Sequence, residues 1–100
     1  MNEVEFRNWM GRNAVEGKVQ SDLVSRLKRI ERELDRCDLD EAYHRDKCQS
    51  LMALFLNKGE NDSMKKYPTA NLPIGKYYMS TFRYALKQYV RFCEFLYTEQ

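Results

Sequence analysis

The sequence predicts an all-α fold, a compact orthogonal bundle of four to five helices with a long C-terminal helix, in a single domain over residues 1–100. Three observations carry this. Hydrophobic residues make up 43% of the chain and charged residues 32%, with only four glycines and two prolines, the balance of a folded helical chain rather than a disordered or fibrous one. Val19, Leu23, Leu27, Ile30 and Leu34 recur at steps of four and three, which lays one apolar stripe along a helix. The stretch from Lys76 to Tyr97 has neither Gly nor Pro and repeats the pattern through Phe82, Leu86, Tyr89, Cys93 and Leu96, so that stripe faces a core.

Taken in order, Val4, Phe6, Trp9 and Met10 give a short apolar face that predicts a first helix over about residues 2–10, stopped by the polar run from Gly11 to Gly17. The second helix follows the stripe from Val19 to Leu34, with Ser21 or Asp22 placed to cap its start. Its other face mixes Arg26, Arg29, Arg32 and Arg36 with Glu31, Glu33 and Asp35, spacings that permit side-chain ion pairs. Asp38 precedes Leu39-Asp40-Glu41, an acidic first turn suited to the positive end of a helix dipole. A third helix from about Leu39 to Leu56 then buries Tyr43, Cys48, Leu51, Met52 and Phe55. Asn57 to Gly75 carries Gly59, Asn61, Asp62, Pro68, Asn71, Pro73 and Gly75, turn chemistry that predicts a long loop. Tyr67, Leu72 and Ile74 are its anchors to the core. Tyr78, Ala85 and Phe92 widen the apolar side of the closing helix, so other helices embrace it on more than one side.

The same residues limit the chemistry. Cys37, Cys48 and Cys93 are odd in number and lack CxxC spacing, which argues against a disulfide framework or a zinc site and for a reducing cytoplasm. The N-terminus lacks a basic start and apolar run, and no segment approaches ~18 apolar residues, so neither secretion nor membrane spanning is expected. The one histidine, His44, has no HExxH, CxxC or nucleophile-elbow context, and Gly11 and Gly17 form no phosphate-binding loop. Asp38, Asp40 and Glu41 read as a helix start rather than a magnesium or calcium site. No catalytic residue, cofactor, metal or small-molecule substrate is therefore expected.

Charge is distributed unevenly. Residues 1–50 hold ten Lys or Arg against eleven Asp or Glu, and residues 51–100 seven against four. Between Ser63 and Cys93, Lys65, Lys66, Lys76, Arg83, Lys87 and Arg91 occur without one acid, a pattern that suits an anionic partner. On the closing helix Lys76, Ser80, Arg83, Lys87 and Arg91 fall at steps of four, three, four and four, with Tyr84 and Gln88 adjacent. Such a row can follow a phosphate backbone, the cations releasing counterions and the hydroxyls and amide hydrogen bonding. Lys58, Lys65 and Lys66 extend it. A protein partner or a second copy of the chain is the alternative, since the 13 aromatic residues exceed what so small a core hides and Tyr77, Tyr84 or Tyr97 can surface beside the cations. Plain solvation of a polar helix side is the third reading.

Three stretches, EFRNWM, VQSDLVSRLKRIERELD and STFRYALKQYVRFCEFL, resemble the helical N-terminal module of bacterial restriction and defence nucleases. More distantly they are similar to the SAM-like core-binding domain of tyrosine recombinases. The resemblance implies a non-catalytic module that clamps DNA, tied to phage defence or mobile elements, with Ser80, Arg83, Lys87 and Arg91 on the closing helix and Lys18, Arg26 and Arg29 on the second as contacts. The recombinase Arg, His and Tyr active-site context is missing and no catalytic domain follows Gln100, so the expectation is binding rather than cutting.

Overall fold

The computed structural model describes the backbone of residues 1–34, 36–56, 64–67, 72 and 76–98 and, of these, every side chain except those of Lys66, Lys76, Tyr77 and Tyr78. Five α-helices and no strand occur among the described residues. They are α1 (Glu3–Arg12), α2 (Gly17–Glu33), α3 (Leu39–Asp46), α4 (Gln49–Leu54) and α5 (Lys76–Thr98), with a 3-10 turn over Met64–Lys66 between the last two. The long C-terminal helix α5 packs most extensively on α2 and also meets α1 and α3. A radius of gyration of 13.3 Å is that of a compact chain of this length.

The α5 stripe is core as its spacing predicts: Phe82, Leu86, Tyr89 and Cys93 are buried, and Met79, Ala85 and Phe92 join them, while Leu96 is half-buried. The centre is aromatic. The Phe6 ring lies 5.0 Å from that of Tyr89 and 5.4 Å from that of Phe92, and Trp9 packs 6.1 Å from Phe92, tilted and edge-on geometries that suit ring quadrupoles. From α2, Leu23, Val24, Leu27 and Ile30 are buried, each full burial of such a side chain contributing about 1.5–3 kcal/mol. Glu3 pairs with Arg7 (3.1 Å) within α1, and its pair with Lys28 (2.7 Å) joins α1 to α2 at the surface.

Two helix boundaries differ from those the spacing predicts. α2 begins at Gly17, one turn earlier, after an extended Glu16 with no side-chain cap. Ser21 and Asp22 are therefore interior, and Val19, in the first turn, is exposed. Val15, in the preceding turn, packs on the core instead, and its carbonyl accepts from the Gln20 amide at 2.8 Å. The helix predicted over residues 39–56 is broken at Lys47 and Cys48, both left-handed at φ 57° and 64°. The Lys47 N–H donates to Tyr43 O (2.8 Å) and the Cys48 N–H to Ala42 O (3.2 Å), closing the end of α3. The turn drops Cys48 into the core, where its thiol donates to Leu39 O at 3.7 Å.

Asp38 caps α3, its carboxylate accepting from the Asp40 N–H at 3.2 Å. Of the long connection, Tyr67 packs on the core and Leu72 is buried, whereas Ile74 lies outside the described residues.

Candidate nucleic-acid interface

Burial divides α5 cleanly. The side away from the core exposes Ser80, Tyr84, Lys87, Arg91, Glu94, Phe95 and Thr98, which the 3.6-residue repeat gathers into one strip. From Ser80 to Arg91 the strip carries no acid. Glu94 ends that run. Tyr84 is 50% exposed and Phe95 40%, so aromatic rings stand at both ends of the pair Lys87 and Arg91. The Arg91 guanidinium lies 5.9 Å from the centroid of the Trp9 ring, and Arg12 at the end of α1 lies 5.6 Å from that of Phe95. Cation–ring contacts of this kind hold a guanidinium in place while leaving its charge in solvent.

Arg83 belongs elsewhere. It is half-buried, and its guanidinium donates to the carbonyl of Phe55, the residue that ends α4. A terminal helix carbonyl has no intrahelical partner, so Arg83 fastens α4 to α5. Arg26 and Arg29 are half-buried on α2, turned from the flank where Ser21, Lys28 and Glu31 meet residues 1–7, whereas Arg91 rests against α1. Arg26 and Arg29 thus lie off the flank of α2 that meets α1. Lys18 and Lys65 are exposed. The side chains of Lys66 and Lys76, and all of Lys58, lie outside the described residues, as does the side chain of Tyr77.

The spacing that singled out the α5 cations carries no sign of Arg12, Asn8 and Glu5, which α1 brings beside Phe92, Phe95 and Leu96 to form a shallow cleft of about 310 Å³. It equally hides the role of Asp40. That carboxylate accepts from the hydroxyls of Tyr89 and, at 2.9 Å, Tyr97. With Glu31 and Asp38, which bind the Met1 ammonium at 2.8 and 3.2 Å, it forms an acidic group at the start of α3. Tyr89 lies on the buried side of α5, opposite Lys87 and Arg91. From Ser80 to Arg91, positive charge thus lies on the outward side of α5 and this acidic group on the inward side, with Glu94 and Glu5 beyond that run.

Burial raises the Tyr97 phenol to about 12, helped by its bond to Asp40, and raises Tyr89 further for the same first cause. The thiols are held protonated. Burial, then Glu31, puts Cys37 at about 11, burial, then Asp46, puts Cys48 at about 12, and burial lifts Cys93 as well. His44 is exposed and packs edge-on against Tyr97, ring centroids 4.4 Å apart. Among the described residues no cluster of His, Cys, Asp or Glu is placed to hold a metal ion, and no helix is long and apolar enough to cross a membrane.

Comparison with known proteins gives no matching family model, no matching curated protein and no matching solved structure.

Proposed function

We propose that the chain is a non-catalytic DNA-binding module of the kind its opening and closing helices resemble, which holds the phosphate backbone against the outward strip of α5. The observation that supports this reading is the acid-free, exposed run Ser80, Tyr84, Lys87 and Arg91, with Arg12 beside its far end and the acidic group of Glu31, Asp38 and Asp40 behind the helix. Lys87 and Arg91 release counterions, Arg12 adds a third charge, and Ser80 and Tyr84 supply hydroxyls. None of Cys37, Cys48 and Cys93 is poised as a nucleophile, burial holding each thiol protonated. Arg83 ties α4 to α5 rather than joining the strip.

Fluorescence anisotropy with labelled DNA at low salt tests the reading. K87E/R91E abolishes binding and leaves the fold intact. Unchanged affinity of that variant removes the proposal. The half-exposed rings of Tyr84 and of Phe95, the latter beside Arg12, favour a second reading, an inhibitor or adaptor surface for a protein partner or another copy, because Tyr, Phe and Arg are enriched at interfaces. Light scattering that gives a dimer, together with indifference to DNA at low salt, is the result that selects it.

A further inference from the structure

A shallow cleft lies beside the basic strip. Its floor is Phe92 and Leu96, one wall is the exposed ring of Phe95, and Asn8, Arg12 and Glu5 of α1 line the other. Paired bases in a duplex keep their faces inside the stack, so a solvent-exposed ring beside backbone-neutralising cations is useful chiefly to an unpaired base, which has a free π-face.

Resting on the DNA reading above, we infer that the strip takes single-stranded DNA in preference to duplex, seating one unpaired base in the α1/α5 cleft against Phe95 while Lys87 and Arg91 hold the adjoining phosphates. The separations fit. Arg91 lies one helical turn from Phe95 and Lys87 two, about 6 and 12 Å along the axis, the spacing of successive phosphates on an extended strand. Tyr84, about 16 Å from Phe95, offers a second ring at the other end of the strip for a base further along. In the free protein Arg12 covers one face of Phe95. The incoming base replaces it as the ring's partner, and the freed guanidinium turns to a neighbouring phosphate. Asn8 is exposed on the cleft wall, and its amide both donates and accepts, which suits a base edge.

The test is anisotropy of a labelled single strand of about 16 nucleotides and of the corresponding duplex, at about 50 mM salt, with the native chain, Phe95→Ala, Phe95→Leu and Lys87→Glu. The expected result is tighter binding of the single strand and a loss of about tenfold for both Phe95 variants on that strand, with little change on duplex. Phe95→Leu keeps apolar bulk without a ring, and unchanged thermal melting of that variant excludes a folding effect. Equal affinity for both DNAs, or Phe95 variants that leave the single strand unaffected, overturns the inference. If Lys87→Glu still weakens binding in that case, the DNA reading stands alone. Binding of neither DNA removes both.

Discussion

Replacing Tyr89 by Phe removes one oxygen from the middle of the bundle and leaves the ring in place. The ring's contacts with Phe6 and Phe92 persist, so what is lost is polar. The hydroxyl donates to the Asp40 carboxylate and accepts from the Asn2 N–H at 2.7 Å. A hydrogen bond to a charged group contributes about 1.5–3 kcal/mol, and the abandoned N–H adds to the loss. Removing a buried hydroxyl's desolvation offsets part of it, giving an expected net cost of about 2 kcal/mol, or a fall in melting temperature of roughly 10 °C for a chain of this size. Tyr97→Phe strikes the same carboxylate from a less buried position and costs about 0.5–1 kcal/mol. Urea titration followed by far-UV circular dichroism measures both. A Tyr89→Phe chain within about 0.5 kcal/mol of the native one, or a larger loss for Tyr97→Phe, refutes the view that Asp40 is the polar tie between α3 and α5.

Lys47 sits exposed in the left-handed region at φ 57°, where a side chain costs about 1 kcal/mol and a β-branched one more. Lys47→Gly is expected to leave stability level or slightly raised and Lys47→Val to lower it by about 1–2 kcal/mol, read from urea midpoints. With burial keeping all three thiols protonated, a disulfide reagent at neutral pH labels the native chain slowly and all three cysteines rapidly in denaturant. Alkaline pH destabilises the fold in two phases. Burial alone lowers the pKa of the Met1 ammonium, but the hydrogen bonds and charges of Glu31 and Asp38 outweigh it and leave the pKa above its ordinary 8.0. The stability this contributes is complete below 8.0 and is lost as pH rises through the folded-state value. Tyr89 and Tyr97, raised above 10.0, add a second loss from pH 10.0 upward, where the unfolded chain ionises first. Urea midpoints across this range show both phases, and acetylating the amine removes the first alone.

What could be read from the sequence was what period alone determines. The stripes of α2 and α5 each repeat over several turns, so their buried faces follow from spacing. The break between α3 and α4 is hidden because neither Lys47 nor Cys48 is a helix breaker. Its one trace is the interval of five from Tyr43 to Cys48 in an otherwise three-and-four series of buried residues. The cationic row was legible as a row, yet spacing places Arg83 within it, and only the approach of Phe55, 28 positions earlier in the chain, decides that this guanidinium caps a helix. Arg12 and Asn8 reach Phe95 across more than eighty positions. No local pattern encodes a contact of that separation.

The salt dependence of DNA affinity tests the phosphate-binding role of the α5 strip. With Lys87, Arg91 and Arg12 each displacing a counterion, the log–log slope for a single strand is expected near −2, falling to about −0.7 in Lys87→Ala/Arg91→Ala. A native slope near zero, or one the double substitution leaves unchanged, contradicts the assignment of the α5 strip as the phosphate-binding surface.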